Sequence, residues 1–207
     1  MQWELQRLKA KAREFGHQTN AAMLTRSQAV KVYQSIYLGR MRYGLTVSTQ
    51  SEREYQEIQS PAISALLPKM GYNRHTAQAI VYGPKEDGGI GLMDLYSLQG
   101  SRKAVTLIEH TRSESTVGKT LLINLKWTQQ ALGVGFDILQ YPGKNIPAST
   151  GDQWFRGLRK FLHKSDCSIA LAAITPPTPR RQGDITIINY AMSNRLSDAQ
   201  IFSIQKV

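Results

Sequence analysis

The segment Leu66 to Leu95, LLPKMGYNRHTAQAIVYGPKEDGGIGLMDL, constrains the chain more than any other. It joins a helix end, a Pro68-Lys69 pair, a polar turn from Gly71 to His75, a short apolar run and a second turn, Pro84 to Gly89. Proline fixes its own φ and lacks a donor, and Asp-Gly and Gly-Gly steps favour tight turns, so regular structure is interrupted twice within this stretch. The reading is two exposed turns flanking a buried run. The first turn sets an aromatic, an amide, a guanidinium and an imidazole side by side: Tyr72, Asn73, Arg74 and His75. With Lys69 and Lys85 close by, the segment offers cations to an anionic polymer.

Around it, apolar residues recur at helical spacing. Residues 2–15 are strong helix formers, and Gly16 is expected to stop them. Thr25 is placed to cap a helix over 26–43, with Ala29, Val32, Tyr33, Ile36, Tyr37 and Arg40 on one face. Its tyrosines read as core and rim positions. Ser51 and Glu54 form a capping box that opens a helix in which Pro61 should cause a kink or split, with Pro68 closing it. Thr76 is expected to cap a short helix over 77–82, Asp94 a longer one to Ser113, and Thr116 one over 117–132.

Residues 133–151 are rich in Gly and Pro and lose periodicity, as a linker does. Past them, Trp154, Phe155, Leu158, Phe161 and Leu162 form an apolar stripe, and Arg156, Arg159, Lys160, His163 and Lys164 cover the rest. Cys167 to Ile174 suits a short strand or a buried helical turn. A Pro-rich connector over 175–183 carries Arg180 and Arg181, and two short helices over 184–193 and 198–206 follow. The expected fold is mainly α: an irregular multi-helix bundle with Gly/Pro-rich turns and room for one short strand or hairpin. The expected organisation is a helical domain over 1–132, a linker over 133–151 and a small basic helical subdomain over 152–207.

Charge narrows the function. The chain of 207 residues carries a net charge of +11, which favours nucleic acid or another polyanion as partner. The excess is uneven, +4 over residues 1–100 and +7 over 101–207. Cys167 is the only cysteine, so no disulfide forms within the chain, which suits a reducing compartment. The longest strictly apolar run, Ile169 to Ile174, falls far short of the roughly 18 residues of a membrane span, and no signal-peptide core opens the sequence. An intracellular protein, cytoplasmic or nuclear and without a membrane partner, is the expectation.

Catalytic and metal-binding patterns are not found. Asp87 and Asp94 read as a turn residue and a cap, not as a metal-binding pair. Gly88-Gly89-Ile90-Gly91 lacks the following Lys-Ser/Thr of a phosphate loop. His163 and Cys167 would supply two metal ligands where a structural zinc takes four. No catalytic residue, metal or cofactor is expected.

Four motifs together resemble a known family. They are Tyr37 with Tyr43-Gly44-Leu45; Ile58-Gln59-Ser60-Pro61-Ala62-Ile63; Leu67 to Arg74 as Leu-Pro-Lys-x-Gly-x-Asn-Arg; and Gly83 to Leu92 as Gly-Pro-x-x-x-Gly-Gly-x-Gly-Leu. The basic run Arg159 to His163 and the Pro-Arg-Arg-Gln-Gly-Asp turn add to them. The combination is similar to the region just downstream of the palm in LINE-like (non-LTR) retrotransposon reverse transcriptases. The resemblance implies a thumb and connector that grips an RNA–DNA or DNA duplex while a palm segment of the same polyprotein makes the bonds. The palm aspartates are not in this sequence, so the polymerase activity does not carry over, and the chain is expected to be a fragment of a larger polyprotein or a remnant expressed alone. The residues this reading assigns to nucleic acid are Lys69, Arg74, His75, Lys85, Arg102 and Lys103 for phosphate, with Tyr72 and Asn73 for sugar or base edges.

Overall fold

A computed structural model describes residues 2–132, 136–143 and 153–171, with residues 185, 190, 193, 194, 196 and 200. The regular elements among them are all helical: α1 (Gln2–Ala21), α2 (Arg26–Val32), a π-helical segment (Tyr33–Tyr37), α3 (Leu38–Arg42), α4 (Glu52–Lys69), α5 (Gln78–Tyr82), a 3-10 turn (Lys85–Asp87), α6 (Leu95–Arg112), α7 (Thr116–Leu132) and α8 (Gln153–Lys164). The fold is mainly α, and no strand occurs among the described residues. Cys167 to Leu171 is irregular backbone, not a strand or a helical turn. The expected Pro-rich connector and most of the residues of the two expected C-terminal helices lie outside the described residues.

The chain forms two compact units, Met1–Arg102 and Lys103–Val207. The first is organised by α1 lying along α4. Leu8, Ala12 and Phe15 of α1 and Ile58, Ala62 and Leu66 of α4 are all buried in one cluster, each set at helical spacing. Gly16 does not end α1. A Cβ there would stand 2.9 Å from the Pro61 carbonyl oxygen, so the glycine marks the point where the two backbones come closest. The helix therefore continues five residues further, to Ala21. Pro61 does not split α4 either, which runs unbroken from Glu52 to Lys69 with both Pro61 and Pro68 inside it. Its carbonyl faces the α1 glycine, and close packing compensates for the hydrogen bond that proline cannot donate.

Local capping chemistry sets where two of these helices begin. Thr25 accepts from the Gln28 backbone N–H while Gln28 accepts from that of Thr25, and Ser51 and Glu54 repeat the arrangement. Between Tyr33 and Tyr37 the helix widens to π, which moves the buried side by one residue. Tyr33, Tyr37 and Met41 are buried, whereas Ile36 and Arg40, expected on the same face, are exposed. Phe15, Tyr33 and Tyr37 form one aromatic stack, with centroid spacings of 4.9 and 5.2 Å.

Buried amides close the unit. The Gln59 side chain donates to the Tyr82 hydroxyl at 2.7 Å and accepts from the Leu95 N–H at 3.0 Å, tying α4 to α5 and to the start of α6. Gln99 donates to the Ser48 carbonyl at 2.6 Å. Asp94 caps α6 through the Ser97 N–H at 2.9 Å, as the sequence implies. Two other caps sit elsewhere than expected. Ser115, one residue before Thr116, accepts from the Gly118 N–H, and Thr76 bonds back to the Asn73 carbonyl instead of capping α5.

In the second unit, Phe155, Leu158 and Leu162 of α8 pack with Leu107, Leu125 and Leu132. Ile138 and Leu139 belong to the same core, and the Leu139 carbonyl accepts from the Ile169 N–H at 3.1 Å. Two residues of the expected linker, Ile138 and Leu139, are thus core, while Gln140, Tyr141 and Gly143 beside them are exposed. Asp137 turns the chain there by accepting from the Leu139 N–H at 2.9 Å, and burial raises its carboxyl above the usual range against the pull of these amides. Two helix ends place a non-glycine residue in the left-handed region, Glu114 at φ 49° and Asp166 at φ 50°.

Two stability predictions follow from this packing. Gly16→Ala should cost about 1–3 kcal/mol by forcing α1 off Pro61. Gly39→Ala, which meets nothing within 4 Å, should gain about 0.5–1 kcal/mol as an ordinary helix substitution; opposite shifts in denaturant midpoint check the pair.

Burial pushes the Tyr55 hydroxyl up to about 12 from an ordinary value of 10.0, and burial likewise raises Tyr33, Tyr37 and Tyr82. These groups favour the neutral form in the fold. Their stabilisation is present in full below pH 10, the unfolded value, and is lost as pH climbs from there through the folded values. Phenolate absorbance from these tyrosines should therefore appear together with loss of helical circular dichroism.

Candidate nucleic-acid interface

The turn after α4 is made by its backbone. Gly71, at φ 84°, lets its N–H donate to the Pro68 carbonyl at 3.0 Å and the Tyr72 N–H to the Leu67 carbonyl at 2.9 Å, the paired bonds of a Schellman end. The Arg26 guanidinium lies against Gly71, where a Cβ would collide with it. Asn73 then accepts from the His75 N–H through its side chain at 2.9 Å, closing an Asx turn. Tyr72, Asn73, Arg74 and His75 are all exposed on this one turn, although the Asn73 oxygen is engaged in shaping it.

Lys69 has a different task. Its ammonium donates to the carbonyls of Asn20 at 3.0 Å and Ala22 at 2.8 Å, satisfying the C-terminal end of α1. It is held as a helix cap and does not stand out toward solvent as a phosphate ligand would.

The second turn is a structural lock. After α5, the Ile90 N–H donates to the Ile80 carbonyl at 2.7 Å, Gly91 to Gly83 at 2.9 Å and Leu92 to Val81 at 3.1 Å. The Gly-Pro-x-x-x-Gly-Gly-x-Gly-Leu sequence thus folds back over the end of α5 and satisfies carbonyls the helix leaves open. A Cβ on Gly89 would collide with the Gly83 backbone and one on Gly83 with the Ala79 carbonyl, and Gly88 and Gly91 take positive φ. Lys85 is exposed on the lock, its aliphatic stem lying over Gly91.

Arg102 is half-buried in α6. Lys103 is only 1% exposed, with its ammonium 5.6 Å from the centroid of the Trp154 ring. Gly157 leaves the room it occupies, since a Cβ there would lie 3.1 Å from the ammonium. Burial removes Lys103 from any strand in solvent and makes it a cation–π partner inside the second unit.

Cations omitted from that set are better placed. On α8, Arg156, Lys160, His163 and Lys164 are exposed, opposite the buried Phe155, Leu158 and Leu162, and the helix has no Asp or Glu. Their four-, three- and one-residue spacing gives one continuous basic face. Arg159, on its flank, is partly buried, and burial lowers its pKa. The first unit differs, because Arg7, Lys9, Arg40 and Arg53 lie in ion pairs with glutamates. Helical spacing signals the α8 face; nothing in the sequence signals that Arg26 lies on Gly71.

Among the described residues, no group of three His, Cys, Asp or Glu side chains is arranged to hold a metal ion. No helix among them is long and apolar enough to cross a membrane. No protein-family model, curated protein or solved structure matches this chain.

Lys69→Met should lower stability by about 0.5–1.5 kcal/mol, since the carbonyls of Asn20 and Ala22, at and just past the end of α1, exchange their charged donor for water. It should leave the salt dependence of any polyanion binding unchanged. Urea unfolding and a salt titration on the same variant check both.

Proposed function

We propose that the chain is a non-catalytic nucleic-acid-binding module that grips a duplex through its phosphates, in the manner of the thumb and connector region of a non-LTR retrotransposon reverse transcriptase. The observation that carries the reading is the acid-free basic face of α8, with Arg156, Lys160, His163 and Lys164 exposed on a helix anchored by its opposite side. Phosphate contacts need cations on a rigid backbone and carry no sequence information. Arg74, His75 and Lys85, exposed on turns that glycine geometry and backbone hydrogen bonds define closely, offer a second set in the first unit. Bond-making is assigned to a separate palm segment.

A second reading, a helical protein-interaction domain, draws on the outer face of α7, where Val117, Ile123 and Trp127 are exposed. Trp127→Glu should abolish partner capture or self-association under that reading and leave duplex binding intact under the first.

Affinity for an RNA–DNA or DNA duplex should fall linearly with the logarithm of salt concentration. Replacing Arg156, Lys160 and Lys164 together by Gln should reduce the slope by about 0.9 for each lost contact on DNA. Absence of binding at low salt, or an unchanged slope in the triple variant, would overturn the assignment to α8.

A further inference from the structure

The basic face of α8 ends at a cleft. It has a volume of about 430 Å³ and lies between the 140–143 turn and the residues that close the helix. Tyr141, Pro142 and Gly143 form one wall, and His163, Asp166 and Cys167 form the other. The Gly143 position is small enough that a Cβ there would stand 3.1 Å from His163 Nδ1, so the imidazole stands directly against the turn. A Schellman end holds the second wall: the Cys167 N–H donates to the Leu162 carbonyl at 2.9 Å, with Asp166 in the left-handed conformation.

His163 thus belongs both to the exposed face of α8 and to the cleft. Two rings, Tyr141 and His163, line the cleft, Tyr141 also standing edge-to-face with Phe136 at 6.4 Å, and Gln140 and Asp166 bring amide and carboxylate groups to it. An open cleft of mixed lining, with Tyr141, Pro142 and Leu162 beside Gln140, Asp166 and Ser168 and reached along a basic helix face, matches a nucleotide with its base inward and its phosphate outward. A free phosphate is a poorer match, because Asp166 would repel it. We infer that this cleft receives an unpaired nucleobase, from a strand end or a single-stranded stretch, whose backbone runs along Arg156, Lys160 and Lys164. The inference rests on the nucleic-acid reading of the chain, and it adds a base-contacting site to a surface otherwise described by phosphate contacts alone.

Cys167 supplies the test without mutation. It is the only cysteine of the chain, it is exposed and it lines the cleft. The rate at which an aromatic disulfide reagent labels the native protein therefore reports on this cleft. Labelling would be followed in low salt with saturating oligothymidylate, and with an abasic strand of the same length. The base-bearing strand is expected to protect Cys167 and to bind about tenfold more tightly than the abasic strand, the scale of one stacked base. Tyr141→Ala should remove the difference between the strands, and Tyr141→Phe should keep it. Equal protection by the two strands, or tight binding of both with no protection, would overturn the cleft assignment and leave the phosphate-binding proposal standing. If neither strand nor any duplex binds, both fail together.

Discussion

A helix that ends inside a protein leaves open carbonyls or N–H groups, and the first unit depends on how these are satisfied. Between and after the long helices α1 and α4 its elements are short and its connections irregular, so there are many helix ends to close. Each is closed by something particular. The Lys69 ammonium meets the end of α1, a Schellman turn at Gly71 finishes α4, and the glycine lock from Gly83 to Leu92 covers α5. The Gln59 amide receives the first N–H of α6. Where the closed group is buried, removing its partner costs about 1–3 kcal/mol, and less where water can reach it. Apolar burial draws α1 to α4; end closure fixes where the chain goes next.

This explains which parts of the structure are legible in the sequence. Capping boxes at Thr25 and Ser51, and the cap at Asp94, can be read directly because donor and acceptor lie three residues apart. Gly16 cannot, because a glycine in a helical pattern signals either a stop or a close approach, and the choice depends on Pro61 in another helix. The segment after α7 reads as a linker from its glycines and prolines. Its core residues, Ile138 and Leu139, sit in a turn where no period of 3.6 or 2 can display them. The π-helical segment is hidden for a similar reason, since it shifts the buried register without changing composition.

The candidate site was legible where local chemistry alone decided it. The turn from Tyr72 to His75 is exposed, as glycine and asparagine in that order imply. The cations fared less evenly. In sequence, a lysine at a helix end and a lysine within a helix look equally available. Position in three dimensions separates them: Lys69 meets backbone carbonyls, and Lys103 is enclosed beside Trp154. The glycine lock shows the converse. The glycine-rich run, which lacks the residues of a phosphate loop, spends its N–H groups on the chain's own carbonyls.

Net charge therefore does not say what a basic surface can offer. Of the 26 Lys and Arg, some are committed to structure, as in the Lys69 cap and the buried Lys103, and some are offset by glutamates along α1 and α4. What acts on a polyanion is the charge left exposed without acids among it, and α8 carries Arg156, Lys160, His163 and Lys164 on one such face. Its apolar side is fixed in a core, so its cations stand on a backbone that need not be ordered upon binding, and less entropy is lost than with a flexible basic tail. The cleft at its end then matters for a physical reason. Phosphate contacts set register loosely, one charge being much like the next, whereas a single site that takes a base can fix where along a strand the protein stops.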